Sequence, residues 1–124
     1  MLADPRELAR SPARSLLGAL LQSPEPQKDL VRIRSVLEAD DFFGREALFL
    51  RELFLRADTG QALDLPSLLQ DALSGQLRFA EMRPDEIALW LGQLHAEPVP
   101  SPSAIPGWIA RVREAAIKIG RAHV

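Results

Sequence analysis

The chain contains no cysteine, which excludes disulfide bonds and thiolate metal sites and is compatible with a reducing compartment. It also lacks a long hydrophobic run: the longest one near the start, 16–21, is far shorter than the roughly 20 residues that a membrane span needs. The N-terminal segment 1–10 is charged and has no apolar stretch typical of a signal peptide. These absences lead us to expect a cytoplasmic protein with no membrane partner.

Residue patterns that carry catalysis or cofactor binding are missing as well. There is no G-x-x-x-x-G-K-[ST] phosphate loop and no G-x-S-x-G motif, and the seven glycines are scattered. The two histidines, His95 and His123, lie at a helix end and beside the C-terminus, so surface positions are favoured over a metal site. The acid pairs at 40–41 and 85–86 stand where helix caps belong. We therefore expect no enzyme activity, no cofactor and no bound metal.

Charge is unevenly distributed along a chain whose formal net charge is only −2. Residues 58–97 hold seven acids and two arginines, a net charge of −5, whereas residues 104–124 hold four bases and one acid, a net charge of +3. The low overall charge gives no electrostatic reason to expect nucleic-acid or membrane binding. The acidic middle and the basic end could instead attract each other, within one chain or between copies.

The apolar residues recur at helical spacing in every strongly periodic segment, and no alternating strand pattern of useful length is present. A chain of 124 residues suits one domain with a modest core. The sequence predicts an all-α fold, a compact bundle of about six helices, with a flexible N-terminus at 1–11 and a single helical domain at 12–121. Proline, glycine and capping residues place the helices at about 12–22, 28–38, 42–57, 65–73, 84–95 and from 105 onward.

Two of these helices lead to specific expectations about burial. The third, 42–57, is apolar over most of its circumference, which is typical of a helix with several neighbours. Only Arg45, Glu52 and Arg56 mark its solvated face. The inward residues of the second helix are predicted to be Leu30, Val31, Ile33, Val36 and Leu37.

The last third of the chain is its most informative part. A short helix leads into a proline-rich joint, and the final helix then carries apolar residues at steps of three and four, all on one face. Because the joint is short, we expect an antiparallel helical hairpin over 84–121 that packs within its own chain or against a second copy. The predicted self-association residues are Ile87, Trp90, Leu91, Leu94, Ile105, Trp108, Ile109, Val112 and Ile119.

A basic stripe lies on the opposite face of the final helix. Arg111, Lys118 and Arg121 could contact DNA or an acidic partner, although such a stripe is more often a solvated face. Trp90 and Trp108 could stack on bases. Both tryptophans lie on apolar stripes, so packing in a core or an interface is favoured, and nucleic-acid binding remains a less favoured alternative.

The stretches that begin at Ser15, Asp40 and Trp90, which cover residues 15–25, 40–73 and 90–116, follow one another in an order that resembles the N-terminal domain of the DnaB-type bacterial replicative helicase. SLLGALLQSPE (15–25) is similar to that family's first helix. The stretch 40–73 resembles its aspartate-phenylalanine start, long apolar helix and short leucine-rich helix, and 90–116 resembles its aromatic-leucine pair, proline-serine joint and aromatic-led helix. The resemblance covers about 12–121. The opening, 11–25, also resembles the C-terminal helicase-binding domain of DnaG-type primases, which the later stretches fit less well.

The sequence departs from the helicase pattern at several points. Pro12, Ala13 and Arg14 stand where the family has an acidic pair, and Trp90 and Trp108 replace tyrosines. The family's ATP-dependent helicases continue into a RecA-like ATPase with a phosphate loop, and no ATPase domain is present in this sequence. On this resemblance we expect an excised domain or a free-standing relative.

The resemblance implies a non-catalytic protein–protein interaction module of DNA replication, a component of the primosome. In the family this domain self-associates into a collar and docks primase or a loader. We therefore expect a homo-dimer or higher oligomer whose partners are the replicative helicase, the primase or both. A primase-like helicase-binding domain or a stand-alone helicase-binding regulator is the nearest alternative.

Overall fold

The chain is helical throughout most of the part that the structure describes. The structure is a computed structural model, and it describes residues 5–42, 44–98 and 104–118. Within those ranges there are six α-helices, one short 3₁₀ turn (Ala39–Asp41) and no strand, which confirms the all-α prediction. The helices are α1 (Pro5–Gln22), α2 (Pro26–Val36), α3 (Gly44–Asp58), α4 (Leu65–Leu73), α5 (Pro84–His95) and α6 (Ile105–Lys118).

Helix α1 lies at the centre of the bundle, where it contacts α2, α3, α5 and α6. Leu16, Leu17 and Leu20 are fully buried, because consecutive apolar positions in a helix point to several sides. Gly18 lies where α1 meets the end of α5: a Cβ at this position would be 2.7 Å from the carbonyl oxygen of Leu94. The glycine therefore lets the two backbones touch.

Helix α1 begins earlier than the sequence predicts. Ser11 and Pro12 are expected to start it, but the helix begins at Pro5 and Pro12 lies inside it. Proline suits the first position of a helix, so Pro5 is a competent start, whereas an interior proline removes one backbone hydrogen bond and bends the helix. The predicted start is wrong, and 5–11, for which the sequence predicts flexibility, are helical.

Helix α2 buries one narrow face. Leu30 and Ile33 lie in the core, whereas Val31 and Val36 are 70% and 44% exposed. Leu37, just after the helix, continues the buried face at a spacing of four residues from Ile33. The prediction that both valines point inward is wrong, because neighbouring helices cover α2 on one side only.

Helix α3 supplies the middle of the core through Phe49, Leu50 and Leu53, all fully buried. Leu55 lies on its exposed side. The helix ends just before Gly60, whose φ of +72° is the left-handed conformation predicted for a glycine after a helix.

Arg56 connects α3 to the segment that follows it. The sequence predicts Arg56 on the solvated face, but the residue is 5% exposed. Its Nη1 donates to Oδ2 of Asp71 at 2.7 Å, while Nε and Nη2 donate to the carbonyl oxygen of Ala62 at 3.0 and 2.7 Å. The prediction is wrong because the 59–64 segment and α4 cover this side of α3, which helical spacing alone cannot reveal.

Helices α4 and α5 pack against each other. Asp64 caps α4 as predicted, with its Oδ2 accepting the N–H of Ser67 at 3.0 Å. In the turn before α5, Ala80 and Glu81 have φ values of 57° and 56°, a left-handed conformation that is costly for residues other than glycine. This turn directs the flanking Phe79 and Met82 into the core.

The last two helices lie on α1 rather than forming a separate unit. Helix α5 contacts α1 and α4, and α6 contacts α1 and α2. The joint at 99–103 lies outside the described residues, so the antiparallel hairpin over 84–121 stays a prediction. No helix in the described ranges is both long enough and apolar enough to cross a membrane.

Candidate protein-interaction site

Seven of the nine residues predicted for self-association lie in the core of a single chain. Buried side chains have no surface left for a second copy. For these seven the predicted role is therefore wrong, and they instead attach α5 and α6 to the rest of the bundle. They are between 0% and 6% exposed: Ile87, Trp90, Leu91, Leu94, Ile105, Ile109 and Val112.

Trp90 belongs to an aromatic cluster inside the bundle. Its ring centroid lies 5.3 Å from that of Phe49 at an interplanar angle of 87°, and 5.5 Å from that of Phe79. Edge-to-face contacts of this kind stabilise a core by about 0.5–1.5 kcal/mol beyond the area they bury. This placement confirms the preference for packing over base stacking at Trp90.

Trp108 differs from the rest of the stripe because it is only partly buried. It packs against the edge of the core, and the guanidinium carbon of Arg111 lies 4.5 Å from its ring centroid, a cation–π contact. Its indole Nε1 is buried and has no acceptor among the described residues. Ile119, the ninth predicted residue, lies outside the described residues.

The basic stripe is described only in part. Arg111 and Arg113 are exposed on α6, with Arg111 resting on the Trp108 ring. Arg121 and the side chain of Lys118 lie outside the described residues. Nucleic-acid binding by this stripe therefore stays a prediction.

An apolar groove runs between the end of α2 and the outer face of α6, and we name it the α2–α6 groove. It has a volume of about 510 Å³. Ile109 forms its buried floor, while Val36 and Ile117, 44% and 50% exposed, stand at its sides. Its other lining residues are Pro106, Ala110, Arg113 and Glu114.

Sequence reasoning missed this groove for a clear reason. It placed Val36 inside the bundle and left Ile117 out of the apolar stripe of the last helix. The available signal was Ile117 itself, since it is a large apolar side chain on the face that otherwise carries charge. Exposed apolar side chains that line one concave surface are typical of a protein-binding site.

A second, more polar pocket of about 470 Å³ lies where α1, the start of α3 and α5 meet. Arg14 projects into it with one guanidinium nitrogen 3.9 Å from a carboxylate oxygen of buried Glu46 and another 3.6 Å from one of Glu97. Both distances are longer than a hydrogen bond. This arrangement is a loose charge cluster with no nucleophile or acid–base pair.

Glu86 has the first-turn role that the sequence predicts at the start of α5, whereas Asp41 caps the 3₁₀ turn Ala39–Asp41 and not the third helix, which begins at Gly44. Asp41 Oδ2 accepts the N–H of Glu38 at 2.8 Å, and Glu86 Oε1 accepts the N–H of Arg83 at 3.1 Å. His95 is exposed at the end of α5. Among the described residues, no three histidine or acidic side chains are grouped so as to hold a metal ion.

Comparison of the chain with models of known families, with curated proteins and with solved structures finds no match. Functional inference therefore depends on the residues and on the surfaces that the fold exposes. Among the described residues, the α2–α6 groove is one such apolar surface.

Proposed function

We propose that the chain is a non-catalytic protein–protein interaction module of DNA replication, similar to the collar domain of the DnaB-type helicase and acting in the cytoplasm. The observation that carries the proposal is the way the three family-like stretches meet in the fold. The stretch 15–25 belongs mainly to α1, 40–73 contains α3 and α4, and 90–116 contains most of α6. Since α1 contacts both α3 and α6, the stretches share one packed unit.

The exposed surface supports a binding role. The α2–α6 groove presents Val36 and Ile117 to solvent beside the buried Ile109. Burying such side chains against a partner is favourable by about 25 cal/mol for each Å² of apolar surface removed from water. A module of this kind acts by binding other proteins.

Calorimetric titration of the chain against the replicative helicase and the primase of the same organism tests this proposal. Saturable binding to the primase supports the helicase-like interpretation, because that is the partner the collar domain docks. Binding to the helicase alone favours the primase-like alternative. The matched control is primase that lacks its C-terminal helicase-binding domain, which should not bind. If neither protein binds at concentrations up to about 100 μM, a Kd that corresponds to roughly 5.5 kcal/mol, the proposal is wrong.

One observation favours a second candidate function, DNA binding. Arg111 and Arg113 are both exposed on α6 and form no ion pair with another described residue. Binding through phosphate contacts weakens steeply with salt, with a slope of about −0.9 in log K per contact on duplex DNA. Tight binding of duplex DNA at low salt with such a slope would support this function, and no binding at low salt would exclude it.

A further inference from the structure

We infer that the α2–α6 groove is the contact between two copies of this chain, which pair antiparallel along α6 about a twofold axis near the midpoint of Arg113 and Glu114. The inference rests on the self-association in the proposed function and assigns it to a surface other than the predicted apolar stripe. The groove residues of α6 occur at steps of three and four, so they form one continuous seam on the outside of the helix.

Side-chain size is complementary in this register. In an antiparallel pair, residues equally far before Arg113 and after Glu114 face each other, which places Ala110 opposite Ile117 of the second copy. Ala110 is exposed and small, whereas Ile117 is large and 50% exposed. The isoleucine of each copy therefore fits the space left by the alanine of the other, as knobs fit holes in helix pairs.

Charge is complementary in the same register. Arg113 faces Glu114 of the second copy, and the twofold axis repeats the pair. Arg113 is exposed and forms no ion pair with another described residue. Glu114 has an interaction within its own chain, but a carboxylate has about four acceptor sites and can serve a second donor.

Helix α2 completes the surface. Val36 lies beside the seam, so Ile117 of the second copy covers Val36 as well as Ala110. An interface that matches itself in both size and charge favours a second copy over an unrelated partner. Closed twofold dimers are also the commonest assemblies of soluble proteins.

Disulfide cross-linking tests the register, and the absence of cysteine from the chain makes the test clean. We expect the Ala110→Cys and Ile117→Cys variants to form a covalent dimer when they are mixed and oxidised. Ala110→Cys alone should not cross-link, because its two thiols would lie seven residues apart along the helix pair. That is about 10 Å, beyond the roughly 7 Å limit between the Cα atoms of a disulfide.

Charge reversal tests the same contact without a covalent bond. Arg113→Glu and Glu114→Arg should each weaken the dimer at least about tenfold, while a mixture of the two variants should restore it as a heterodimer. Arg78→Glu, the same change at an exposed site outside the groove, is the matched control. Circular dichroism of each variant should be unchanged because the substituted side chains are exposed.

The outcomes separate this inference from the proposed function. The inference is overturned if a dimer forms and neither charge reversal changes its mass. It is also overturned if a single cysteine variant cross-links alone as well as in the mixture, because either result shows that the copies meet through another surface. A chain that stays monomeric and gives no cross-link also overturns it. Binding to helicase or primase is measured independently and can survive either result.

Discussion

The side-chain amide of Gln22, the last residue of α1, donates a hydrogen bond to the main-chain carbonyl oxygen of His95, the last residue of α5, at 2.9 Å. The same Nε2 donates to the carbonyl oxygen of Glu97 at 3.0 Å. Carbonyl groups at the end of a helix have no partner within it. One helix of the bundle therefore caps another that is far away in sequence.

Replacing Gln22 by alanine should lower the free energy of unfolding by about 1 kcal/mol, the usual net contribution of such hydrogen bonds. Gln93→Ala is the matched control, because Gln93 is exposed on α5, and it should change stability by less than about 0.5 kcal/mol. Urea unfolding of both variants measures the difference. Equal midpoints for the two would show that the cap contributes nothing.

Two glycines in touching helices should respond to alanine in opposite directions. A Cβ at Gly18 would lie 2.7 Å from the Leu94 carbonyl oxygen, so Gly18→Ala should force α1 and α5 apart at a cost of about 1–3 kcal/mol. A Cβ at Gly92 meets nothing within 4 Å, so Gly92→Ala should stabilise α5 by up to about 1 kcal/mol. Thermal unfolding of both variants measures whether each substitution raises or lowers stability. Destabilisation by Gly92→Ala would contradict the open space that the structure shows beside Gly92.

Arg56→Ala should destabilise the fold by about 2 kcal/mol. This is less than the roughly 3–5 kcal/mol that breaking a fully buried pair costs, because the Asp71 side chain is 26% exposed. The control is Arg51→Ala, which removes an exposed pair with Asp40 and should cost less than about 1 kcal/mol. Guanidinium unfolding measures both. Similar costs for the two arginines would mean that Arg56 is not buried in solution.

Acid should weaken the cap of α4. The pKa of Asp64 lies below its usual range, mainly because the hydroxyl of Ser67 donates a hydrogen bond to the carboxylate. The backbone N–H of Ser67 donates a second hydrogen bond with a smaller effect in the same direction. Because the pKa in the folded state is below the unfolded value of about 4, the contribution is present above pH 4 and is lost as pH falls through the lower folded value. The stability difference between wild type and Asp64→Asn should therefore shrink between pH 6 and pH 3. A constant difference would show that the carboxylate does not contribute as a charged cap.

The sequence predicts the bounds of two helices correctly, although the start signal at Ser11 and Pro12 misplaces the beginning of α1. Helices α4 and α5 occupy the predicted ranges, because Asp64 and Pro84 act on the backbone beside them. The errors at Val36 and Arg56 have one physical cause. Periodicity shows which residues share a face, but whether a neighbour covers that face depends on contacts with residues distant in sequence.

The candidate site shows the same limit. The apolar residues of α6 do share one face, but their spacing cannot distinguish packing on α1 from packing on a second copy. Because Ile105 and Val112 are buried within one chain and α6 contacts α1, this face packs on α1. Only folding then reveals the α2–α6 groove, because it brings Val36 beside Ile117, 81 positions later in the sequence.

The most direct test of the interaction role is the mass of the chain in solution. Light scattering measures it at two concentrations, first for the chain alone and then with the replicative helicase and the primase of the same organism. We expect a dimer or larger oligomer that shifts to a heavier complex with at least one of the two proteins. A concentration-independent monomer whose mass changes with neither protein would contradict a role as an interaction module of replication.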